Sequence, residues 1–278
     1  MAERIEAEVA IVGGGPVALT LALLLAEAGI DVALAEKAAG PGEDLRASTF
    51  HPPTLDMLDR IGLAAPLVAQ GLVCPAWQVR LHPEGERAVF DLSVLADETA
   101  HPYRLQAEQW KLSRLLLDRL AASPARLLFG HEATALAQDD AGVTVTLVGP
   151  EGEVPLRARY AVGADGARSA VRAALGLPFE GRTYPETTIL ATTTFPFEEH
   201  LEGLSNVTYC WKPGGRFSLL KVPGRWRVSI YPDEARPLEE QLTPAGIEAA
   251  LQQIVPRPEP FEVCEVRPYR VHQRIVPR

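Results

Sequence analysis

The chain has 278 residues, with 27 basic and 36 acidic side chains for a formal net charge of −9, and 47% hydrophobic content. That is enough apolar material for one large or two ordinary domains with a sizeable core. No basic run or stripe is present, so charge gives no footprint for nucleic acid.

The opening MAERIEAEVA lacks the form of a secretory leader. Val9, Ile11 and Val12 then form a short apolar run suited to a buried parallel strand. Gly13, Gly14 and Gly15 follow directly. Gly13 supplies a tight turn, and Gly15 lets the backbone approach a diphosphate. Pro16 opens a helix, where its missing N–H is harmless. The helix is predicted to run to Ala28 and, being apolar nearly all round, to be buried. Ala18, Ala22 and Ala26 recur every four residues and offer a smooth face to a sheet. This segment is too short and too close to a glycine turn to span a membrane. Gly29 stops it, Asp31 to Ala35 forms the second strand, and Glu36 stands at its end.

A helix N-terminus carries partial positive charge and open N–H groups, so it holds phosphate. A carboxylate about 20 residues on can accept hydrogen bonds from ribose hydroxyls, and Glu36 occupies that place. It would also repel a 2′-phosphate. Ala18 replaces the third glycine of the usual fingerprint, an allowed variant. A bare glycine turn would mean little. Strand, turn, helix and acidic partner together point to an adenine dinucleotide.

Lys37 to Leu45 is a glycine- and proline-containing loop. Arg46 follows. A lone loop arginine is usually a solvated charge, but its place just after the ribose-binding strand favours a flavin or phosphate contact. The next helix carries Leu55, Leu58 and Ile61 at helical spacing. Val73 to Leu95 reads as two strands around the turn Pro83 to Gly85, an excursion into a second domain. Tyr103 to Leu120 is predicted helical, with Glu108 and Gln109 near its start and Leu112, Leu115, Leu116 and Leu120 as its buried stripe. Arg126 to Phe129 and Glu132 to Gln138 are strands, and Val143 to Val148 pairs with Val154 to Tyr160 in a hairpin.

In the stretch from Ala158 to Leu177 a strand is expected to end at Val162, turn through Gly163 to Gly166 and enter a helix bearing Ser169 and Arg172. An isolated Asp-Gly is only a turn. Here Asp165 sits between a strand end and a helix start, a second such corner at the open end of the sheet. Beyond Pro178 the chain is strand-rich: Thr187 to Phe195, Val207 to Lys212, Arg216 to Val222 and Arg225 to Tyr231. Thr243 to Ile254 is one helix with Thr243 as its cap, and Phe261 to Ile275 is extended.

Other chemistry finds little footing. His131-Glu132 lacks the second histidine of a zinc helix, and Glu198-Glu199-His200 reads as a solvated turn, so no metal site is expected. There is no Gly-x-Ser-x-Gly turn. His101 and His272 show no partners in sequence. Cys74, Cys210 and Cys264 are odd in number and far apart, as in a cytoplasmic protein with reduced thiols.

Several stretches taken together carry a resemblance. IVGGGPVALTLALLLAEAGIDVALAEK, LRASTFHPPTLDMLDRIGL, PYRLQAEQWKLSRLLLDRL and YAVGADGARSAVRAALGL resemble segments of the para-hydroxybenzoate-hydroxylase-like FAD-dependent aromatic monooxygenases. The resemblance implies an α/β fold: a Rossmann-like FAD-binding domain of the glutathione-reductase-like type, formed by 1–72 and 100–185. A second, mostly antiparallel β-sheet substrate domain would comprise 73–99 and 186–278. It implies FAD as cofactor and NADH or NADPH as co-substrate. The reaction implied is hydroxylation of a small phenol-like ring with oxygen, through a flavin hydroperoxide. Gly13 to Gly15 would serve the diphosphate and Glu36 the adenosine ribose, with Pro16, Val17, Ala18 and Lys37 also among the cofactor-binding residues. Arg46 and Gln109 would contact the rest of the cofactor, and Asp165 would bridge it to the ribityl chain. Tyr209, Trp211, Phe217 and Tyr231 are candidates to line a substrate pocket, although strand aromatics more often belong to a core. The cofactor carries the chemistry, so no catalytic side chain is assigned.

The family's Gly-Asp-Ala motif, whose aspartate holds the ribityl end, follows a strand resembling YRVHQRIVPR. The chain ends at Arg278 within that region, so a C-terminally shortened chain with weakened flavin retention is expected. Two rival readings are a nicotinamide-only dehydrogenase and a flavin-binding fragment without catalysis.

Overall fold

The computed structural model describes residues 4–43 and 47–277. Its strands are Ile5–Val12 (β1), Val32–Glu36 (β2), Thr49–Phe50 (β3), Leu72–Cys74 (β4), Ala76–Leu81 (β5), Arg87–Asp91 (β6), Arg104–Gln106 (β7) and Arg126–Phe129 (β8). Glu132–Asp139 (β9), Gly142–Gly149 (β10), Gly152–Gly163 (β11), Glu180–Thr193 (β12), Val207–Lys212 (β13), Gly215–Val222 (β14), Arg225–Ile230 (β15) and Val263–Ile275 (β16) follow. The helices are Pro16–Glu27 (α1), Pro52–Asp59 (α2), Ala64–Val68 (α3), Gln109–Ala121 (α4), Ala170–Ala174 (α5), Phe197–His200 (α6), Leu238–Gln241 (α7) and Pro244–Gln252 (α8).

The first sheet has the order β8-β2-β1-β11-β10-β9. Its β8, β2, β1 and β11 run parallel, while β10 and β9 return antiparallel. The parallel centre is covered on both faces, so Val9 to Val12 and Val32 to Ala35 are all buried. On one face Ala18, Leu19, Ala22 and Leu23 of α1 meet Leu112, Leu116 and Leu120 of α4. The alanines bring α1 close to the strands. Its far side is wet: Val17 is 72% and Leu24 47% exposed. The expectation of a fully buried helix therefore fails, because α1 is covered on one side only.

The second sheet has the order β16-β12-β15-β14-β13-β5-β6 and is antiparallel except where β13 meets β5. One face packs Phe217, Leu219, Trp226 and Val228 against Ile247 and Leu251 of α8. The Thr243 hydroxyl accepts from Gly246 N–H and caps α8, as its position predicts. The excursion at residues 76–91 does enter this sheet, as β5 and β6. A third, three-stranded sheet joins β3, β7 and β4.

Two local expectations are corrected. Tyr103 to Glu108 is not helical. Long-range pairing of Gln106 with both Thr49 and Leu72 makes β7, and α4 starts only at Gln109. The hairpin strand after Gly152 runs on into the Asp-Gly corner as β11. Ser169 lies outside α5 and caps it, accepting from Arg172 N–H.

Candidate functional site

Parallel pairing of β1 with β11 sets Val12 opposite Gly163, so the glycine turn and the Asp-Gly corner leave the sheet side by side. Ala164 N–H donates to Val12 O (2.8 Å), and Gly13 N–H donates to Ala35 O (2.8 Å). Gly13 has φ +118°, and a Cβ there would lie 2.4 Å from the Ala164 carbonyl oxygen. Only glycine fits both the torsion and the gap. A Cβ on Gly14 would lie 2.6 Å from Cγ of Glu36, so the absent side chain is what lets Glu36 fold against the turn. Gly15 precedes α1 with no side-chain cap and no acidic residue in the first turn, leaving the helix start open to an anion.

A cavity of about 300 Å³ opens at this point. Gly14, Gly15, Pro16 and Glu36 form one wall, Gly40 to Gly42 a rim, and Gln109, Trp110 and Ser113 of α4 the opposite wall. Glu36 is steadied by its own chain: Oε1 accepts from Ala38 N–H at 2.8 Å. Gln109 is placed by its backbone N–H, which donates to Ala47 O (3.0 Å), while Ala107 N–H donates to Ser48 O (2.9 Å).

Asp165 closes the other corner. Its Oδ2 accepts from Ala170 N–H (2.6 Å) and Val171 N–H (3.2 Å) at the start of α5. Its Oδ1 is buried and has no hydrogen-bond partner among the described residues. A buried acceptor left unmade costs about 1–3 kcal/mol. A ligand hydroxyl would relieve that.

The predicted residues thus divide. Gly15, Pro16, Glu36 and Gln109 share the cavity wall, and Gly13 packs against the Asp165 corner. Val17 points to solvent, and Ala18 is buried between helix and sheet. Lys37 is exposed, 4.0 Å from Glu132. Arg46 lies outside the described residues. Trp110 and Ser113 were not anticipated. Trp110 had a signal, since it directly follows Gln109, but the apolar spacing of α4 drew attention to its leucines.

Arg227 of β15, in the second sheet, reaches the segment just before β3, where its guanidinium donates to the Ser48 hydroxyl. Burial pushes Arg227 down from its ordinary pKa, opposed by Tyr269, Glu265 and Glu108. Arg227, Ser229 and Tyr231 alternate onto one face. Further along, Trp211, Arg216 and Tyr231 line a cleft of about 1070 Å³, with the Arg216 guanidinium 4.3 Å from the Tyr231 ring centre. Of the aromatic candidates, Trp211 and Tyr231 line this cleft. Phe217 belongs to the core, and Tyr209 stands edge-on to Trp77, 5.8 Å between ring centres.

Other polar residues resolve into structural roles. Glu198 is no solvated turn: it accepts from Trp226 Nε1 (2.8 Å) and pairs with Lys221. His101 Nδ1 meets Asp56 Oδ1 at 2.8 Å, and His272 Nδ1 meets the Thr183 hydroxyl at 2.8 Å. No cluster of three metal-ligating side chains is found among the described residues. No helix among them is long and apolar enough to cross a membrane.

Comparison with known proteins agrees with this geometry. The chain is 35% identical over 277 residues to para-nitrophenol 4-monooxygenase of Pseudomonas sp. (strain WBC-3), covering 96% of this chain and 66% of that protein. It is 33% identical over 272 residues to 6-hydroxy-3-succinoylpyridine 3-monooxygenase HspB of Pseudomonas putida (strain DSM 28022 / S16), covering 97% and 69%. The crystal structure of p-nitrophenol 4-monooxygenase PnpA from Pseudomonas putida DLL-E4 superposes with a TM-score of 0.89 at 33% identity, over 99% of this chain and 70% of that one. The chain therefore spans about two thirds of the length of these relatives. The family model described as FAD binding domain matches residues 6–278. The family match over nearly the whole chain and these relatives make the chain a member of the FAD binding domain family, as found in the FAD-dependent aromatic monooxygenases.

Proposed function

We propose that this chain holds FAD across the two corners and forms the greater part of a monooxygenase that hydroxylates a small phenol-like ring with NAD(P)H and oxygen. The observation that carries the reading is Asp165: a buried carboxylate with one oxygen unpartnered, set beside the glycine turn. Bound FAD would supply the transfer of electrons from nicotinamide to oxygen. The chain's own residues bind and orient. Gly13 to Gly15 and the start of α1 take the diphosphate, Glu36 the adenosine ribose, Gln109 the middle of the cofactor and Asp165 a hydroxyl beyond it. Lys37 and Arg46 belong to the same reading as outer contacts, with Val17 and Ala18 shaping the first helical turn.

The division into an FAD-binding part, 1–72 and 100–185, and a substrate sheet, 73–99 and 186–278, belongs to this proposal. The aromatic substrate would lie on the sheet face that carries Arg227 and Tyr231. Three unbridged cysteines support a reducing, cytoplasmic setting.

Purified protein is expected to bind added FAD and turn yellow, and to oxidise NADH or NADPH faster when a phenol is added. Saturable flavin binding separates this reading from a nicotinamide-only dehydrogenase. Phenol-stimulated oxidation separates it from a binding fragment.

Glu36→Ala should weaken ADP and FAD alike by about 1–3 kcal/mol through lost charged hydrogen bonds, roughly ten- to hundredfold in Kd. Trp110 supplies a direct optical readout, because it is the only aromatic side chain among the cavity's lining residues. ADP should quench its emission, and the quench should vanish in Trp110→Phe. Unchanged ADP affinity in Glu36→Ala would remove the ribose role.

A further inference from the structure

The second sheet ends on β6, and its outer edge is bare. All five residues of β6 are exposed, with Val89 at 55% and Phe90 at 44%. Among the described residues the strand pairs only with β5, in unbroken register. It contains no proline, glycine or bulge; the edge-protecting features it does carry are its short length and the charges of Arg87 and Asp91. Leu81 N–H donates to Glu86 O (2.8 Å) and Leu92 N–H to Pro75 O (2.8 Å). That alternation turns the backbone groups of Arg87, Val89 and Asp91 away from β5.

Read in reverse, Arg-Ala-Val-Phe-Asp complements itself. In an antiparallel pairing centred on Val89, Arg87 faces Asp91 of a second copy, and Asp91 faces its Arg87. The residues with outward backbone groups are the ones that meet, so each such pair exchanges hydrogen bonds. Ala88 faces Phe90, which leaves room for the ring. Within its own chain Arg87 stands directly opposite Arg80, a like-charge pair. No ion pair to Arg87 is found among the described residues. Its guanidinium rests against Gly203, where a Cβ would come within 2.5 Å. Asp91 is held in place by Ser93 N–H, which donates to Oδ1 at 2.8 Å.

We propose that β6 is a homodimerisation edge, through which two copies of this chain join their second sheets antiparallel about Val89, with Arg87 and Asp91 paired across the seam. A five-residue edge is small beside the roughly 1,200–2,000 Å² of a stable interface, so the dimer should be weak and concentration-dependent.

Sedimentation velocity on the full chain, from about 1 to 300 μM to span weak association, tests this. The wild type should move towards twice the monomer mass as concentration rises. R87E and D91K, each placing like charges across the seam twice, should weaken association about tenfold or more. Mixing the two single variants re-creates opposite-charge pairs at both ends, so the mixture should associate like the wild type. Both side chains are exposed, but D91K also removes the bond from Ser93 N–H, so circular dichroism checks the fold of each variant. A wild type that stays monomeric throughout, single variants that associate as it does, or a mixture that stays monomeric would each overturn the proposal.

Discussion

Gly13→Ala should lose both nucleotide binding and thermal stability, whereas Gly15→Ala should lose nucleotide binding alone. The two glycines are a residue apart but face different constraints. Gly13 sits at φ +118°, and its added methyl would lie 2.4 Å from a backbone oxygen of Ala164, an atom that cannot swing aside. Forcing the torsion costs on the order of 1–3 kcal/mol, and separating the two corners adds to that. A loss of about 3 kcal/mol would lower Tm by on the order of 10 °C at this chain length. Gly15 has φ −77°, and its added Cβ would meet nothing within 4 Å. Alanine fits there in the free protein and obstructs only what approaches the turn. Scanning fluorimetry and FAD titration on both variants separate the effects. Equal Tm losses would contradict the assignment of Gly13 to the fold and Gly15 to the ligand.

Asp165→Asn should keep the fold and lose flavin affinity. The carboxylate divides its work: Oδ2 takes the Ala170 and Val171 N–H groups, and Oδ1 is buried without a partner. An asparagine can turn its single oxygen to the helix start, which preserves the cap. It then presents an NH₂ group where the second acceptor stood. A charged hydrogen bond of about 1.5–3 kcal/mol is lost, roughly ten- to hundredfold in Kd for FAD. Asp165→Ala should lose the cap as well and show a lower Tm. An asparagine variant that binds FAD as tightly as the wild type would make Asp165 a helix cap and nothing more.

What was legible in the sequence is what local backbone chemistry dictates. The β1–α1–β2 unit is readable because each residue has a reason within a few positions: Gly13 for its torsion, Pro16 for helix entry, the alanines for close packing. Glu36 is readable because the fold fixes its distance from the turn. Most of the features missed are non-local. β7 reads as helix until Gln106 is seen pairing with Thr49 and Leu72. The partners of His101 and Glu198 lie tens of residues away, at Asp56 and Trp226. Nothing local tells that Phe217 turns into the core while Trp211 lines a cleft. The apolar composition of α1 overstated its burial because composition carries no information on how many sides are covered.

The central claim is that two strand-end corners grip one molecule of FAD. Isothermal titration of the flavin-free, folded chain tests it most directly. FAD should bind at one per chain and be displaced by excess ADP. Heat-free titration of a chain whose folding is verified, with neither FAD nor ADP taken up, would contradict it.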